Sequence, residues 1–408
     1  MLLTLAFRNL MRRPVQSGIS VVALAFGLTL TVFMINFQIG NWDVIVNTSV
    51  KTVSGHIVVQ PKGFQELKDD DMQVEHSSDV AATLRTVAPD ALVLRRILMT
   101  GLIQSPANNI GVSIFGVEPE PEATVNTVAK KVVDGSWLLA DDTDQVVIGA
   151  GLAQKLDVGV GKKVVLMVGV DGEYESKPLR VRGIFESGSR QIDSFVALMP
   201  IGTVQRMLPA LSDPASQVAM ILDGRTAHRA LLQPARDALA DHPVEVLSWE
   251  ESMPDLKRSR EMDIAFAVII WPVMALVVSI GVLNTLLMSL FERTRELGVM
   301  LAVGMKPRDL FKLLLLEGFL LGTIGSALGL AGGLLLTWPA ATTGFVFPSM
   351  QDAAPVANVA FDGVFYANFE PWWDLGWAAF FVFLSTLVSA YPAWKAASTD
   401  PVASMRQS

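Results

Sequence analysis

Cysteine is absent from the 408-residue sequence, and histidine occurs only four times. Without cysteine the chain has neither disulfide bonds nor thiolate chemistry, so a domain outside a membrane must be stabilised by its own core. The histidines show no metal-ligand spacing, and no HExxH motif occurs. The segment 159–163 lacks the serine or threonine after lysine that a Walker A motif requires. The sequence therefore predicts no catalytic, metal or nucleotide-binding site in this chain.

Charged residues are also scarce. They make up 18% of the chain, whereas 51% is hydrophobic, and an average soluble domain carries roughly 25% charged residues. The formal net charge of −8 argues against a nucleic-acid partner, because phosphates are neutralised by clustered Lys and Arg. The apolar residues are concentrated in four blocks, with one long segment of mixed polarity between the first and the second. This distribution predicts a membrane protein with a large inserted domain.

The four apolar blocks cover residues 15–38, 264–290, 311–338 and 372–394. Each exceeds the roughly 20 residues that an α-helix needs to cross the hydrocarbon of a bilayer. The first is too long for a signal peptide, and no small-residue cleavage site follows it promptly. We therefore expect four transmembrane helices, all retained in the protein.

The distribution of Lys and Arg predicts how these helices are oriented. The segment 341–371 contains neither residue, whereas basic residues precede the first span, follow the fourth, and lie between the second and third. By the positive-inside rule, both termini and the loop 291–312 are expected in the cytoplasm, with the segments 43–260 and 341–371 outside. Residues 2–13 predict an amphipathic helix on the cytoplasmic lipid surface; a simple extension of the first span is the alternative.

The large segment 43–260 predicts an α+β domain, because runs of β-branched residues alternate with stretches of helical spacing. The interval 118–200 is mainly strand-like, which suggests two subdomains with the second inserted in the first. Residues 171–172 resemble a two-residue hairpin turn. The acidic run 69–71 lacks the spaced ligands of a calcium loop, so we expect a solvated turn there.

The connection between the second and third spans has an unusual pattern. Charged residues end the second span, and a short amphipathic stretch follows in which Gly298 and Gly304 permit tight turns or close contact. Pro307 suits the first turn of the next helix. A positive-inside loop would explain the arginines but not the glutamates, glycines and apolar residues. We therefore expect a rigid docking element between the two spans.

These segments resemble a known family. Residues 291–305, the following Leu316-Glu317-Gly318 and the glycines after it are similar to the FtsX-like permease domain of type VII ABC transporters, and the segment 391–402 matches its C-terminal pattern. Residues 7–14 are similar to the N-terminus of the family. Short stretches around 151–153 and 182–184 are similar to its periplasmic core domain. The layout is closest to the lipoprotein-releasing permeases of the MacB-like family.

The resemblance implies a membrane protein in three parts, in the bacterial inner membrane. Residues 1–42 would form the surface helix and the first span, 43–260 the periplasmic α+β domain with its stalk, and 261–408 the FtsX-like permease domain. It also implies that two permease subunits pair as a homo- or heterodimer. Each subunit would rest on a separate ATPase subunit that binds ATP and magnesium, so no cofactor is expected in this chain.

The resemblance further implies a coupling helix within 291–310 that contacts the ATPase. Its expected contact residues are Glu292, Arg293, Arg295, Glu296, Leu297, Gly298, Leu301 and Gly304. The expected function is extraction or release of lipoprotein or lipid-linked cargo, driven from the cytoplasm. Two alternatives remain: export of periplasmic small molecules or peptides with an adaptor and an outer-membrane channel, and regulation of a periplasmic cell-wall hydrolase without transport. The latter is disfavoured by an outer domain of some 200 residues.

The third span carries a ladder of small residues and one carboxylate. The ladder consists of Gly318, Gly322, Gly325, Gly329 and Gly333. Such spacing lets two helix backbones approach closely in lipid, and the partner is either another span of the same chain or the neighbouring permease. Glu317 lies about 9 Å into the span at 1.5 Å per residue. Because a carboxylate in lipid is costly, we expect a structural hydrogen bond there rather than a proton or substrate site.

Overall fold

The computed structural model describes residues 2–12, 14–67, 72–170, 173–188, 190–208, 211–224, 227–346 and 364–398. The acidic run 69–71, the turn 171–172 and most of the loop 341–371 lie outside these residues. The chain divides into two compact units. The helical unit comprises Met1–Trp42, Glu261–Phe345 and Phe365–Ser408, and the β-rich unit comprises Asp43–Arg260 and Val346–Val364.

The α-helices of the described residues begin and end as follows: α1 Leu2–Arg12, α2 Pro14–Ser49, α3 Phe64–Leu67, α4 Ser77–Val87, α5 Pro119–Val125, α6 Ala150–Leu156, α7 Arg190–Phe195, α8 Ile201–Gln205, α9 Ala227–Ala238, α10 Trp249–Ser252, α11 Pro254–Glu292, α12 Thr294–Ala302, α13 Pro307–Thr342 and α14 Pro371–Ala397. A π-helical turn, Val50–Ser54, follows α2, and a 3₁₀ turn, Thr127–Lys131, follows α5.

The β-strands are β1 Ile57–Pro61, β2 Leu92–Gln104, β3 Asn109–Val117, β4 Val132–Gly135, β5 Gln145–Gly149, β6 Lys163–Val170, β7 Glu173–Phe185, β8 Val196–Pro200, β9 Gln217–Ile221, β10 Val244–Ser248, β11 Phe345–Val346 and β12 Val364–Phe365.

Four helices, α2, α11, α13 and α14, are long and apolar enough to cross a membrane. Large apolar side chains on their outer surfaces are exposed, for example Phe26, Val268 and Leu335. An amphipathic helix of a soluble protein would turn such residues inward, so this surface is suited to lipid. Pro254 lies at the first position of α11, where its missing N–H costs no hydrogen bond.

The β-rich unit is built on one sheet with the strand order β10-β1-β9-β2-β3-β8-β5-β7-β4, and β6 pairs with β2 and β7. Most pairs are antiparallel, while β3–β8 and β5–β7 are parallel. Separate apolar cores lie along this sheet, and β2 contributes Val93 to one and Ile97 to another. The sheet itself is continuous, and the proposed insertion of 118–200 as a subdomain stays a prediction, as do the three domain boundaries.

Candidate functional site

The connection between α11 and α13 folds as a separate short helix. Arg293 interrupts the helical path with φ −102° and ψ 4°, and α12 begins directly after it. The helix is followed by a turn at Gly304, whose φ of +108° strains any residue with a Cβ. Pro307 then occupies the first turn of α13. The two breaks hold α12 as an independent element between two candidate membrane spans.

One face of α12 is exposed. It carries Arg295, Glu296, Val299 and Ala302, and the same side continues at Val303 directly after the helix ends. Val303 is 84% exposed and Val299 46%, a high value for valine. Neither valine was among the contact residues expected from the sequence. The sequence carried no signal for them, because helical spacing groups the residues of one side without showing which side is exposed.

The opposite face of α12 is turned into the chain's own fold. Arg293, Leu297 and Gly298, three of the residues expected to contact the ATPase, are buried. Leu297 packs in an apolar cluster with Leu290 and Leu313, and the part of these three residues in an ATPase contact stays a prediction. Glu292, Glu296 and Gly304 are exposed, and Leu301 is half-buried.

A buried ionic cluster lies beneath α12. The Arg293 guanidinium donates from Nη1 to Glu317 Oε2 at 3.1 Å, and Asn9 Nδ2 donates to Glu317 Oε1 at 2.7 Å. Both carboxylate oxygens of Glu317 are therefore occupied, and the Arg293 and Glu317 side chains are each only 8% exposed. Arg293 Nε also lies 3.7 Å from Glu296. The cluster joins α1, the start of α12 and α13 by groups that would be costly to leave unpaired.

The surroundings of Glu317 fit a structural role. The cavity beside it, lined by Ser289, Arg293 and Ser389 among others, has a volume of about 30 Å³. A space of this size holds about one water molecule and no larger ligand. The expected structural hydrogen bond thus has two donors, Asn9 and Arg293, which the sequence could not name.

The glycine ladder of α13 contacts two helices of the same chain. A Cβ at Gly322 would lie 3.0 Å from Ser385 of α14, and Gly318 faces Ser389 of the same helix. The next three glycines face α2, where Cβ atoms at Gly325 and Gly333 would lie 2.7 Å from side chains there. Because the helices are this close, side-chain hydroxyls of α2 and α14 reach backbone carbonyls of α13. Thr29 Oγ1 donates to Gly329 O at 3.0 Å, and Ser385 Oγ donates to Gly318 O at 3.0 Å.

Two polar contacts at the other end of these helices were missed by sequence reasoning. Asp263 Oδ2 of α11 accepts hydrogen bonds from Gln38 Nε2 at 2.7 Å and from Trp42 Nε1 at 2.5 Å. Asn36 of α2 donates from Nδ2 to Asp374 Oδ2 of α14 at 3.2 Å. Polar residues inside apolar runs were the available signal.

Two histidines of the β-rich unit lie close to one another and to a glutamate. His228 Nε2 lies 3.1 Å from Glu250 Oε2, and the ring centroids of His56 and His228 are 6.5 Å apart. Burial, and after it the charges of His228 and Lys51, lower the pKa of His56 to about 4. Among the described residues, no group of three or more His, Asp or Glu side chains is arranged to hold a metal ion.

Comparison with known proteins matches both parts of the chain. Residues 17–239 match the MacB-like periplasmic core domain, and residues 268–401 match the FtsX-like permease C-terminal domain. The expected architecture, four transmembrane helices with a β-rich domain between the first and the second, is thereby confirmed.

Several relatives align over most of the chain. The lipoprotein-releasing system transmembrane protein LolC of Xylella fastidiosa is 23% identical over 413 residues, covering 95% of this chain and 92% of LolC. LolE of Haemophilus influenzae is 23% identical, covering 74% of each chain. The macrolide export ATP-binding/permease protein MacB of Escherichia coli is 25% identical, covering 98% of this chain and 60% of MacB. The chain therefore belongs to the family of ABC transporter permeases that combine a MacB-like periplasmic core domain with an FtsX-like permease C-terminal domain.

Proposed function

We propose that this permease couples ATP hydrolysis by a separate cytoplasmic ATPase subunit to the extraction or release of lipoprotein or lipid-linked cargo on the periplasmic side. The observation that carries the proposal is α12, a short helix isolated between two candidate spans, with one face exposed and the other fixed to α13. A helix that receives a push from a partner needs both properties. It must present a surface, and it must be firmly joined to the element it moves.

The exposed face of α12 has the composition of a protein interface. Val299 and Val303 form an apolar centre, and Arg295 and Glu296 lie beside it as a charged rim. Interfaces commonly have an apolar core and a polar rim, and the core contributes most of the affinity. We therefore assign the ATPase contact to this face, with Arg293, Leu297 and Gly298 supporting it from beneath.

The double variant Val299→Asp/Val303→Asp tests this assignment in cells that also produce the ATPase subunit. Because both side chains are exposed, the permease should fold and insert normally, while co-purification of the ATPase falls at least about tenfold, the factor for about 1.4 kcal/mol. Val133→Asp is the matched control, since Val133 is 61% exposed and lies on β4 of the β-rich unit. If the double variant retains the ATPase as fully as Val133→Asp does, α12 is only a connector.

The cargo proposal is supported by the similarity to two proteins of lipoprotein-releasing systems. LolC and LolE are each 23% identical to this chain. Export of a small molecule is the second candidate, because the MacB alignment spans 98% of this chain. Release of a labelled lipoprotein from vesicles containing the permease and its ATPase would support the first. Protection of cells against a macrolide without lipoprotein release would support the second.

A further inference from the structure

A buried carboxyl–amide pair joins α2 to α14 at the end of the helical unit remote from α12. Asn36 is 0% exposed and Asp374 is 2% exposed. A single hydrogen bond links them, from Asn36 Nδ2 to Asp374 Oδ2 at 3.2 Å. The segment before α14 covers the pair, since Asn368 N donates to Asn36 O at 2.9 Å and Ala367 packs against Gly40.

One oxygen of each side chain has no hydrogen-bond partner within the described structure. These atoms are Asn36 Oδ1 and Asp374 Oδ1, and both are acceptors when the carboxyl is ionised. Rotating the Asn36 amide by 180° would not help, because its oxygen would then face a carboxylate oxygen. Two buried acceptors without a donor, on side chains that are already joined by one hydrogen bond, point to a missing proton.

The surrounding sequence offers no positive charge to balance an ionised Asp374. No Lys or Arg occurs in residues 14–42, 261–292, 313–345 or 365–394. The charged group that acts on Asp374 is another acid, Glu370, one helical turn earlier. The first turn of α14 favours a carboxylate through the helix dipole, but this effect is small beside the cost of burying an unpaired charge.

We infer that Asp374 is a proton-binding residue, held as a neutral carboxylic acid in a reciprocal pair with Asn36. In this pair Asp374 Oδ1–H donates to Asn36 Oδ1 while Asn36 Nδ2 donates to Asp374 Oδ2. One proton thus satisfies both unpartnered oxygens and removes the buried charge.

The pair makes the contact between α2 and α14 depend on a proton. When the two helices part and water reaches the carboxyl, Asp374 ionises and the proton is released, because an exposed aspartate is ionised at neutral pH. Any motion of the permease that separates these helices would then release one proton, and their return would take one up.

Infrared spectroscopy of the full chain in lipid nanodiscs, with aspartate carboxyls labelled by ¹³C, tests this directly. We expect a protonated-carboxyl C=O band at neutral pH that shifts in D₂O and is lost in Asp374→Asn. Asp263→Asn is the matched control, because it removes another labelled aspartate of the helical unit, one that accepts hydrogen bonds from Gln38 and Trp42, and it should leave the band in place. If the wild-type chain shows no such band at neutral pH, the aspartate is ionised and the proposal is wrong.

A second measurement uses stability. Asp374→Asn retains a donor and an acceptor, so an amide–amide pair should preserve both hydrogen bonds. The midpoint of thermal unfolding should therefore be unchanged. Asp374→Ala and Asn36→Ala should both lower the midpoint, since each leaves the remaining side chain unpaired. If Asp374→Asn lowers the midpoint as much as Asp374→Ala, the site needs a negative charge, as a bound cation would, and the proton assignment is overturned.

Discussion

Alanine at Gly329 is expected to destabilise the permease, although alanine forms helices better than glycine by roughly 0.5–1 kcal/mol. A Cβ at this position would lie 2.7 Å from Ala25 O and 2.8 Å from Leu28 Cβ of α2. One of these atoms belongs to the backbone, so the strain is relieved only if α2 and α13 move apart. Overpacking of this kind costs about 1–3 kcal/mol.

Separation of the helices also weakens the hydrogen bond from Thr29 Oγ1 to Gly329 O. Interhelical side-chain bonds in membranes contribute about 0.6 kcal/mol on average. When the gain in helix propensity is set against both losses, Gly329→Ala should lower the free energy of unfolding by about 1–3 kcal/mol.

Gly281→Ala is the matched control, because a Cβ at this mid-helix glycine of α11 meets nothing within 4 Å. The same substitution should there be neutral or stabilising, so Gly329→Ala is expected to be the less stable of the two variants. Reversible unfolding of the purified permease in mixed micelles, with increasing SDS, measures both. Equal stability of the two variants would show that the glycine ladder does not set the contact between α2 and α13.

Three further predictions concern the β-rich unit and the orientation. The lowered pKa of His56 contributes stability that is fully present above pH 6.5 and is lost as the pH falls towards 4. The loss is at most about 3 kcal/mol, and His56→Gln should flatten that part of an unfolding-versus-pH curve. Arg96→Met should cost about 3–5 kcal/mol by leaving a buried carboxylate without its cationic partner, since Arg96 and Glu122 pair at 2.9 Å with side chains 0% and 1% exposed. In the double variant Arg96→Met/Glu122→Leu, thermal denaturation should show that part of the lost stability is regained. A double variant less stable than Arg96→Met would contradict this. A cysteine replacing exposed Val133 should react with an impermeant thiol reagent in intact cells, whereas one replacing exposed Val303 should react only after permeabilisation; the reverse pattern would invert the proposed orientation.

The membrane spans and the glycine contacts of the fold could be predicted from the sequence, because each depends on a pattern of residues that are close in the chain. Four apolar runs predict four spans by length alone, and the five glycines of α13 predict close helix contacts by their spacing. The partners of those features lie far away in sequence. Asn9 reaches Glu317 across 308 positions, and no local pattern marks that pairing.

The face of α12 shows a second limit of sequence reasoning. Helical spacing correctly groups the residues that share a side, but it does not determine which side packs against the rest of the chain. Leucine is usually buried, and Leu297 follows that tendency. The two valines, which a soluble monomer would bury as readily, are the exposed residues. Their exposure beside a buried leucine is what identifies the outer face.

The contacts of the helical unit suggest how a push on α12 would spread. Arg293 joins α12 to α13 through a buried ion pair, and α13 contacts α2 and α14 through glycines where backbone meets backbone or short side chains. Tight contacts of this kind transmit displacement without the slack that long, flexible side chains allow. We therefore expect α12 and α13 to move together with the parts of α2 and α14 that these glycines contact. At Asp374, away from the positions on α14 that Gly318 and Gly322 contact, α2 and α14 are joined by the polar pair with Asn36, so this is the position at which the two helices are expected to part.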